Sequence, residues 1–160
     1  MKGAFDLMER PGPSLTDDER REIELLAPLV SDVWCVETAA LNCQNSWTPE
    51  NPAFGQCAVT AALVFDLLGG EIIRTEVAGF GSHYFNRFWS GAEIDLTRSQ
   101  FPVNAVVPPG ELRTLEYLLD SERAVAAKTR ERFEKLKDRF FRALLDKTIE
   151  DKKNRRRRTP

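Results

Sequence analysis

Hydrophobic positions recur with different spacings along the chain, and the changes of spacing predict where helices and strands begin. Positions 23, 26, 29 and 30 are apolar at helical spacing and follow a capping signal at Ser14 or Thr16, which predicts a helix near the amino terminus. Residues 57–68 combine small and apolar side chains over the length of a buried helix. Gly69-Gly70 follows them as a stop signal.

The middle of the chain has the period of strands. Residues 71–78 alternate and are rich in β-branched side chains, and two further strand-like stretches, 82–88 and 92–96, flank a tight turn at Ser90-Gly91. This pattern predicts an antiparallel meander of three strands packed on the helix at 57–68. The expected fold class is therefore α+β.

Helical spacing returns after a proline-rich linker. Leucines between positions 112 and 119 suit one packed face of helical sequence. Apolar positions from 124 to 149 recur every three or four residues among charges, which predicts one long amphipathic helix there. The predicted organisation is a flexible arm at 1–13, a single domain at 14–149 and a basic disordered tail at 150–160.

Composition narrows the class of protein. The 160 residues are 42% apolar and 30% charged, which suits one compact soluble domain, and no stretch approaches eighteen consecutive apolar residues. The first residues lack the apolar segment of a secretory signal. The chain has an odd number of cysteines, Cys35, Cys43 and Cys57, and they form no CxxC pair. We therefore expect neither a disulfide framework nor a zinc knuckle. We expect the protein to be located in the reducing cytoplasm.

The charge is unevenly distributed, although the net charge is only -2. Residues 121–160 carry 15 Lys and Arg against 7 Asp and Glu, and the chain ends in a Lys- and Arg-rich run. Such a run could bind nucleic acid. It contains no aromatic side chains on which bases could stack, so we expect a solvated terminus and no nucleic-acid partner.

Three residues in the middle of the chain could form a nucleophilic site. His83 is the single histidine and follows a glycine turn on a predicted strand, and Asp95 lies twelve residues later on the next strand. If residues 88–90 form a three-residue loop, the two side chains face each other with Cβ atoms about 4.5–5.5 Å apart. Cys57 stands at a predicted helix start, where the helix dipole favours a thiolate. The thiolate would attack a carbonyl, His83 would protonate the leaving group and Asp95 would orient the histidine.

An oxyanion formed in such a reaction needs hydrogen-bond donors. The backbone N–H of Cys57 is one candidate, and the side-chain amide of Asn51 or Gln56 is a second. Trp47 and Tyr84 lie near these motifs and are candidates for substrate contacts, although they could equally be core residues. We expect no cofactor and no metal, and a small-molecule or peptide substrate with an amide or thioester group.

Other interpretations of the same residues remain open. Cys57 could be a small core residue, His83 a structural histidine and Asp95 a turn cap. The domain could then be a non-catalytic binding or regulatory module on the same fold. Three ligands of mixed type could also hold zinc with one open position, but no pair of them has the short spacing typical of a zinc site.

Four segments of the chain resemble the YunG-like family of small bacterial proteins. They are residues 47–61, which end in the run around Cys57, and residues 69–74, 82–87 and 93–101. The resemblance is close over about one third of the chain and looser over the helical region beyond. It implies a shared fold but no substrate.

The order Cys, His, Asp is similar to that of the papain-like superfamily, which includes NlpC/P60 amidases, transglutaminase-like enzymes and arylamine acyltransferases. This resemblance implies a papain-like core in which the helix that carries Cys57 packs on a small antiparallel sheet. It also implies an acyl-enzyme mechanism of the amidase, peptidase or acyltransferase type. The spacing from Asn51 to Cys57 resembles the glutamine-to-cysteine spacing of papain, with an asparagine that is one methylene shorter.

Overall fold

A computed structural model describes residues 8–158 of the chain. Its α+β architecture places a four-stranded antiparallel sheet against helices, in the element order α1 (Asp17–Asp32), α2 (Cys57–Leu68), β1 (Glu71–Val77), β2 (Gly81–Arg87), β3 (Glu93–Ile94), β4 (Glu111–Arg113), α3 (Leu115–Asp120), α4 (Glu122–Ala126) and α5 (Thr129–Arg158). Three short 3-10 helices lie at Val36–Thr38, Leu41–Ser46 and Arg98–Gln100. The strand order is β3-β2-β1-β4. No helix within the described residues is both long enough and apolar enough to cross a membrane.

The two predicted helix starts and the helix stop are confirmed. Thr16 forms a capping box with Glu19 at the beginning of α1, which satisfies N–H groups that have no partner inside the helix. Helix α2 begins at Cys57 and ends at Leu68, and Gly69 caps it with φ +73°, a conformation that favours glycine. The middle of the helix, residues 59–64, is buried, as its small and apolar sequence predicts.

Helix α2 forms the centre of the core. It packs against β2 on one side and against α5 on the other. The Asn86 amide on β2 donates to the Ala61 carbonyl of α2 at 3.0 Å, and the buried Trp34 ring nitrogen donates to Thr60 Oγ1 at 2.9 Å. The first of these bonds fixes the height of β2 relative to α2, and thereby the positions of Cys57 and His83 relative to each other.

The hairpin between β2 and β3 turns later than predicted. The expected loop is 88–90, whereas the chain reverses through residues 89–91, because the Phe88 N–H donates to the Ala92 carbonyl at 2.9 Å. Gly91 adopts φ +84°, the left-handed position at the end of a three-residue loop. Each β2 residue therefore faces a residue two positions further along the chain than predicted.

A fourth strand, β4, was not predicted. It follows the proline-rich linker and pairs antiparallel with β1, opposite residues 72–74. The Gly110 backbone approaches the Arg74 carbonyl so closely that a Cβ there would lie 2.4 Å from its oxygen. Only a glycine allows the linker to reach this edge of the sheet.

The ends of the chain are more ordered than predicted. Part of the predicted flexible arm, from Met8 to Arg10, pairs with β3, and the Arg10 N–H donates to the Glu93 carbonyl at 2.9 Å. The Arg10 guanidinium also lies 4.2 Å from the centre of the Phe85 ring. Residues 1–7 lie outside the described residues.

The carboxyl-terminal helical region is divided where one helix was predicted. Lys128 adopts φ +51°, which separates α4 from α5. Helix α5 then continues through Arg158, so residues 150–158 are helical, in contrast to the predicted disordered tail.

Candidate active site

Cys57 lies at the amino-terminal end of α2 on the wall of a cavity of about 400 Å³. As the first residue of the helix, it has a backbone N–H with no carbonyl acceptor within the helix, and the positive end of the dipole lies beside its thiol. The chain enters the helix through Gly55, which has φ +74°. A Cβ at Gly55 would lie 2.7 Å from Cys43 Cβ and 3.0 Å from the Ala40 nitrogen, so only glycine fits.

His83 and Asp95 form a buried hydrogen-bonded pair. The distance between His83 Nε2 and Asp95 Oδ2 is 2.7 Å, and the side chains are 0% and 1% exposed. The other carboxylate oxygen of Asp95 accepts from the N–H and the hydroxyl of Thr97, at 3.2 and 3.3 Å. The carboxylate is therefore held in one orientation with Oδ2 directed at the ring.

The predicted contact of His83 with Asp95 is present, but the predicted register is wrong. Extended past the end of β3, the observed pairing places His83 opposite Thr97. Asp95 is then the diagonal neighbour of His83 on the same face of the sheet, within reach of a long side chain. A register shift of two residues leaves His83 and Asp95 on the same face of the sheet, because side chains along a strand alternate between the faces with a period of two.

The Cys57 thiol and the His83 ring lie close enough to shift each other's pKa. Because Asp95 occupies Nε2, a proton that passes between the ring and the thiol would use Nδ1, which also lies 3.4 Å from the Gln100 amide nitrogen. The structure thus brings the three predicted catalytic residues together: the carboxylate is hydrogen-bonded to the imidazole, and the imidazole interacts with the thiol.

These contacts shift the pKa values of both groups. Burial by itself lowers the pKa of His83, but the hydrogen bonds to Asp95 and Cys57 and the charges of both outweigh it and raise the pKa to about 9. Burial also opposes a thiolate at Cys57, yet the hydrogen bond and charge of His83, with the Tyr84 backbone N–H, hold the pKa of Cys57 below its usual value. The raised pKa of His83 and the lowered pKa of Cys57 both favour a thiolate–imidazolium pair.

Gln100 is a site residue that the sequence reasoning did not single out. Its amide nitrogen lies 3.4 Å from His83 Nδ1, and its amide oxygen accepts from the Gly55 N–H at 3.4 Å. It therefore links the loop before Cys57 to the imidazole. The residue ends a 3-10 turn, Arg98–Gln100, and no periodic pattern marks such a position.

The predicted oxyanion and substrate residues separate into two groups. Tyr84 lines the cavity, and burial raises the pKa of its hydroxyl. Asn51, Gln56 and Trp47 are not among the residues that line it. The Gln56 amide nitrogen donates to the Cys35 carbonyl at 2.9 Å, and the Trp47 ring nitrogen donates to the Pro52 carbonyl at 3.0 Å.

The rest of the cavity wall combines aromatic and positively charged side chains. The aromatic residues are Phe54, Phe80, Tyr84, Phe101 and Tyr117. Phe101 also packs edge-on against the His83 ring, with 4.8 Å between the ring centres. Among residues 8–158, no group of three or more His, Cys, Asp or Glu side chains is arranged to hold a metal ion.

Comparison with known proteins places this chain in a family. Residues 22–145 match the family described as YunG protein. An uncharacterized protein YunG from Bacillus subtilis is 40% identical over 57 residues, which are 36% of this chain and 48% of that relative, so the chain spans about half the length of the curated relative. No solved structure matches. The match to the family covers most of the chain, and the protein therefore belongs to the YunG family.

Proposed function

We propose that this protein is a thiol enzyme with a papain-like arrangement, which forms an acyl-enzyme on Cys57 from an amide or thioester substrate. The observation that supports the proposal is the buried hydrogen bond between Asp95 and His83, together with the interaction of the His83 ring with the Cys57 thiol at the wall of a cavity. A buried carboxylate–imidazole pair beside a thiol at a helix start is the arrangement that nucleophilic catalysis by cysteine requires.

In this mechanism the Cys57 thiolate attacks the substrate carbonyl carbon and forms a carbon–sulfur bond. The negative charge moves to the carbonyl oxygen, where the backbone N–H of Cys57 is one donor and the Gln100 amide is a candidate for the second. His83 gives its Nδ1 proton to the leaving amine or thiol as the bond to that group breaks. Water or an amine then attacks the thioester carbon, and His83 accepts the proton that the attacking group releases. The carbon–sulfur bond breaks, which releases the acid or the new amide and restores the Cys57 thiolate.

Asp95 orients the ring. Its hydrogen bond to Nε2 keeps Nδ1 directed toward the sulfur and stabilises the charged imidazole. Deprotonation of Cys57 by His83 moves one proton within the pair, so the resting state needs no external base.

Alkylation by iodoacetamide tests the proposal without a known substrate. The reagent is neutral and small, and its rate at each cysteine reports the thiolate fraction and nucleophilicity. We expect Cys57 to be alkylated rapidly at pH 6, where an ordinary thiol reacts slowly, and His83→Ala to abolish this advantage. Cys43 is an internal control because it lines the same cavity, while burial raises its pKa.

The three cysteines must be distinguished after labelling. No Lys or Arg lies between Arg21 and Arg74, so trypsin leaves all three in one peptide. Cleavage after glutamate separates them, at Glu37 and Glu50. Equal and slow labelling of Cys57 in the wild type and in His83→Ala would contradict the proposal and favour a non-catalytic binding module.

A further inference from the structure

Arg132, on helix α5, is a buried cation on the wall of the cavity that contains Cys57. Only 5% of the residue's surface is exposed. It donates three hydrogen bonds, from Nε to the Ala127 carbonyl at 3.1 Å, from Nη1 to the Thr38 carbonyl at 3.1 Å and from Nη2 to the Thr129 hydroxyl at 3.3 Å. All three acceptors are neutral.

The Arg132 guanidinium has no ion-pair partner among the described residues. No carboxylate between residues 8 and 158 forms an ion pair with Arg132, whereas Arg10, Arg87 and Arg130 each have one. A guanidinium has five N–H donors, so the three bonds leave one N–H on each terminal nitrogen. Burial lowers the pKa of Arg132, but an arginine remains charged, and a buried charge without a partner is costly.

The other charged residues of the cavity have the same sign. Arg74 and Arg123 also line the wall, and none of the lining residues is Asp or Glu. Arg74 is paired with Glu76 and donates to the Ser82 hydroxyl at 2.8 Å, so its charge is already compensated. Arg132 is therefore the buried cation of this wall for which the described residues provide no carboxylate partner.

Arg132 lines the same cavity as the proposed nucleophile. Its charge interacts with the thiols of Cys57 and Cys43, which are also part of the wall. An anion held by Arg132 would therefore lie in the cavity that contains the sulfur. A planar carboxylate suits the two remaining N–H groups, because a guanidinium can bind both of its oxygens.

We propose that Arg132 binds a carboxylate of the substrate, so that the compound acylating Cys57 is a small amide or thioester carrying a negative charge. This inference rests on the function proposed above. A cavity of about 400 Å³ holds a molecule of small-ligand size. The aromatic residues of the wall would contact its apolar part, and Arg132 would fix its orientation.

Two alkylating reagents that differ only in charge test this inference. Iodoacetate and iodoacetamide both form a carbon–sulfur bond at Cys57 and release iodide, but only iodoacetate carries a carboxylate. We expect the ratio of the iodoacetate rate to the iodoacetamide rate to fall about tenfold or more in Arg132→Gln, as the loss of a hydrogen bond to a charged group implies. Arg132→Lys should give an intermediate ratio.

Arg130→Gln is the matched control. It removes one positive charge from the same helix, at an exposed residue that pairs with Asp120 and does not line the cavity. Its ratio should equal that of the wild type. An unchanged ratio in Arg132→Gln, or an equal fall of both rates, would overturn the carboxylate site. An iodoacetamide rate that His83→Ala leaves unchanged would instead overturn the proposed function.

A second measurement uses the wild-type protein, in case Arg132→Gln does not fold. Propionate should protect Cys57 from iodoacetamide, and chloride at equal ionic strength should not. Lack of protection by propionate would overturn the inference. Stronger protection by inorganic phosphate than by propionate would overturn the assignment to a carboxylate.

Discussion

Replacement of Asp95 by asparagine should lower the pKa of His83 by a large and measurable amount. The pKa of about 9, against an ordinary value of 6.5, corresponds to about 3 kcal/mol in favour of the charged ring. The hydrogen bond to Asp95 is the largest contribution that raises it, and burial is the largest that lowers it. An asparagine oxygen can still accept the Nε2 proton, so the ring should keep its orientation while losing the negative charge beside it.

We therefore expect the pKa of His83 in Asp95→Asn to fall to about 6.5 or below, because burial is then opposed only by Cys57. The chain contains a single histidine, so one pair of imidazole signals in an NMR titration between pH 5 and 10 belongs to His83 without further assignment. Asp66→Asn is the control, since it removes a carboxylate of α2 that pairs with Lys137 outside the cavity. A pKa that stays near 9 in Asp95→Asn would refute the role given to the carboxylate.

Three further predictions concern the same site. First, His83 and Cys57 together should contribute little to the pH dependence of the unfolding free energy between pH 6.5 and 9. The raised pKa of His83 contributes stability that is lost as the pH rises across this window, whereas the lowered pKa of Cys57 contributes stability that is gained. In Cys57→Ala the part of the histidine contribution that Asp95 provides remains, without the opposing contribution of the thiol. Urea denaturation should therefore show stability falling relative to the wild type as the pH rises above 6.5, and parallel profiles would contradict this. Second, Gly55→Ala should lower the free energy of unfolding by about 1–3 kcal/mol more than Gly79→Ala does. Both glycines have positive φ, but only at Gly55 would the added Cβ lie closer than 3 Å to another atom. Equal losses would show that this close approach does not matter. Third, Gln100→Ala should slow the acylation of Cys57 by p-nitrophenyl acetate about tenfold or more, as expected for the loss of an oxyanion donor, while the pKa of His83 measured by NMR changes little. A large change in that pKa with an unchanged acylation rate would make Gln100 a residue that only positions the ring.

Local signals in the sequence predict most of the elements that carry the site. The caps, the glycine stop after α2 and the alternation of β1 and β2 are each set by residues close in sequence, so the helix start at Cys57 follows directly. The contact between His83 and Asp95 follows from two adjacent strands and the period of two. The exact register of β2 against β3 could not be predicted in this way, because the left-handed conformation of Gly91 moves the turn by one position.

Non-local contacts explain what the sequence could not predict. Strand β4 forms because the linker returns to the edge of β1, and Arg132 reaches the cavity because α5 packs on α2. Gln100 comes beside His83 through a single 3-10 turn, which has no hydrophobic pattern. The predicted roles of Asn51 and Gln56 rested on spacing within a loop, and loop spacing does not determine the direction of a side chain.

Acylation by p-nitrophenyl acetate shows whether His83 activates Cys57 to form an acyl-enzyme. We expect wild-type protein to release p-nitrophenolate at pH 6.5 with acetylation of Cys57, identified by mass spectrometry after cleavage at glutamate. His83→Ala should release it at least about a hundredfold more slowly, in keeping with the loss of general acid–base catalysis. Equal rates in the two proteins, or acetylation of Cys43 in preference to Cys57, would contradict activation of Cys57 by His83.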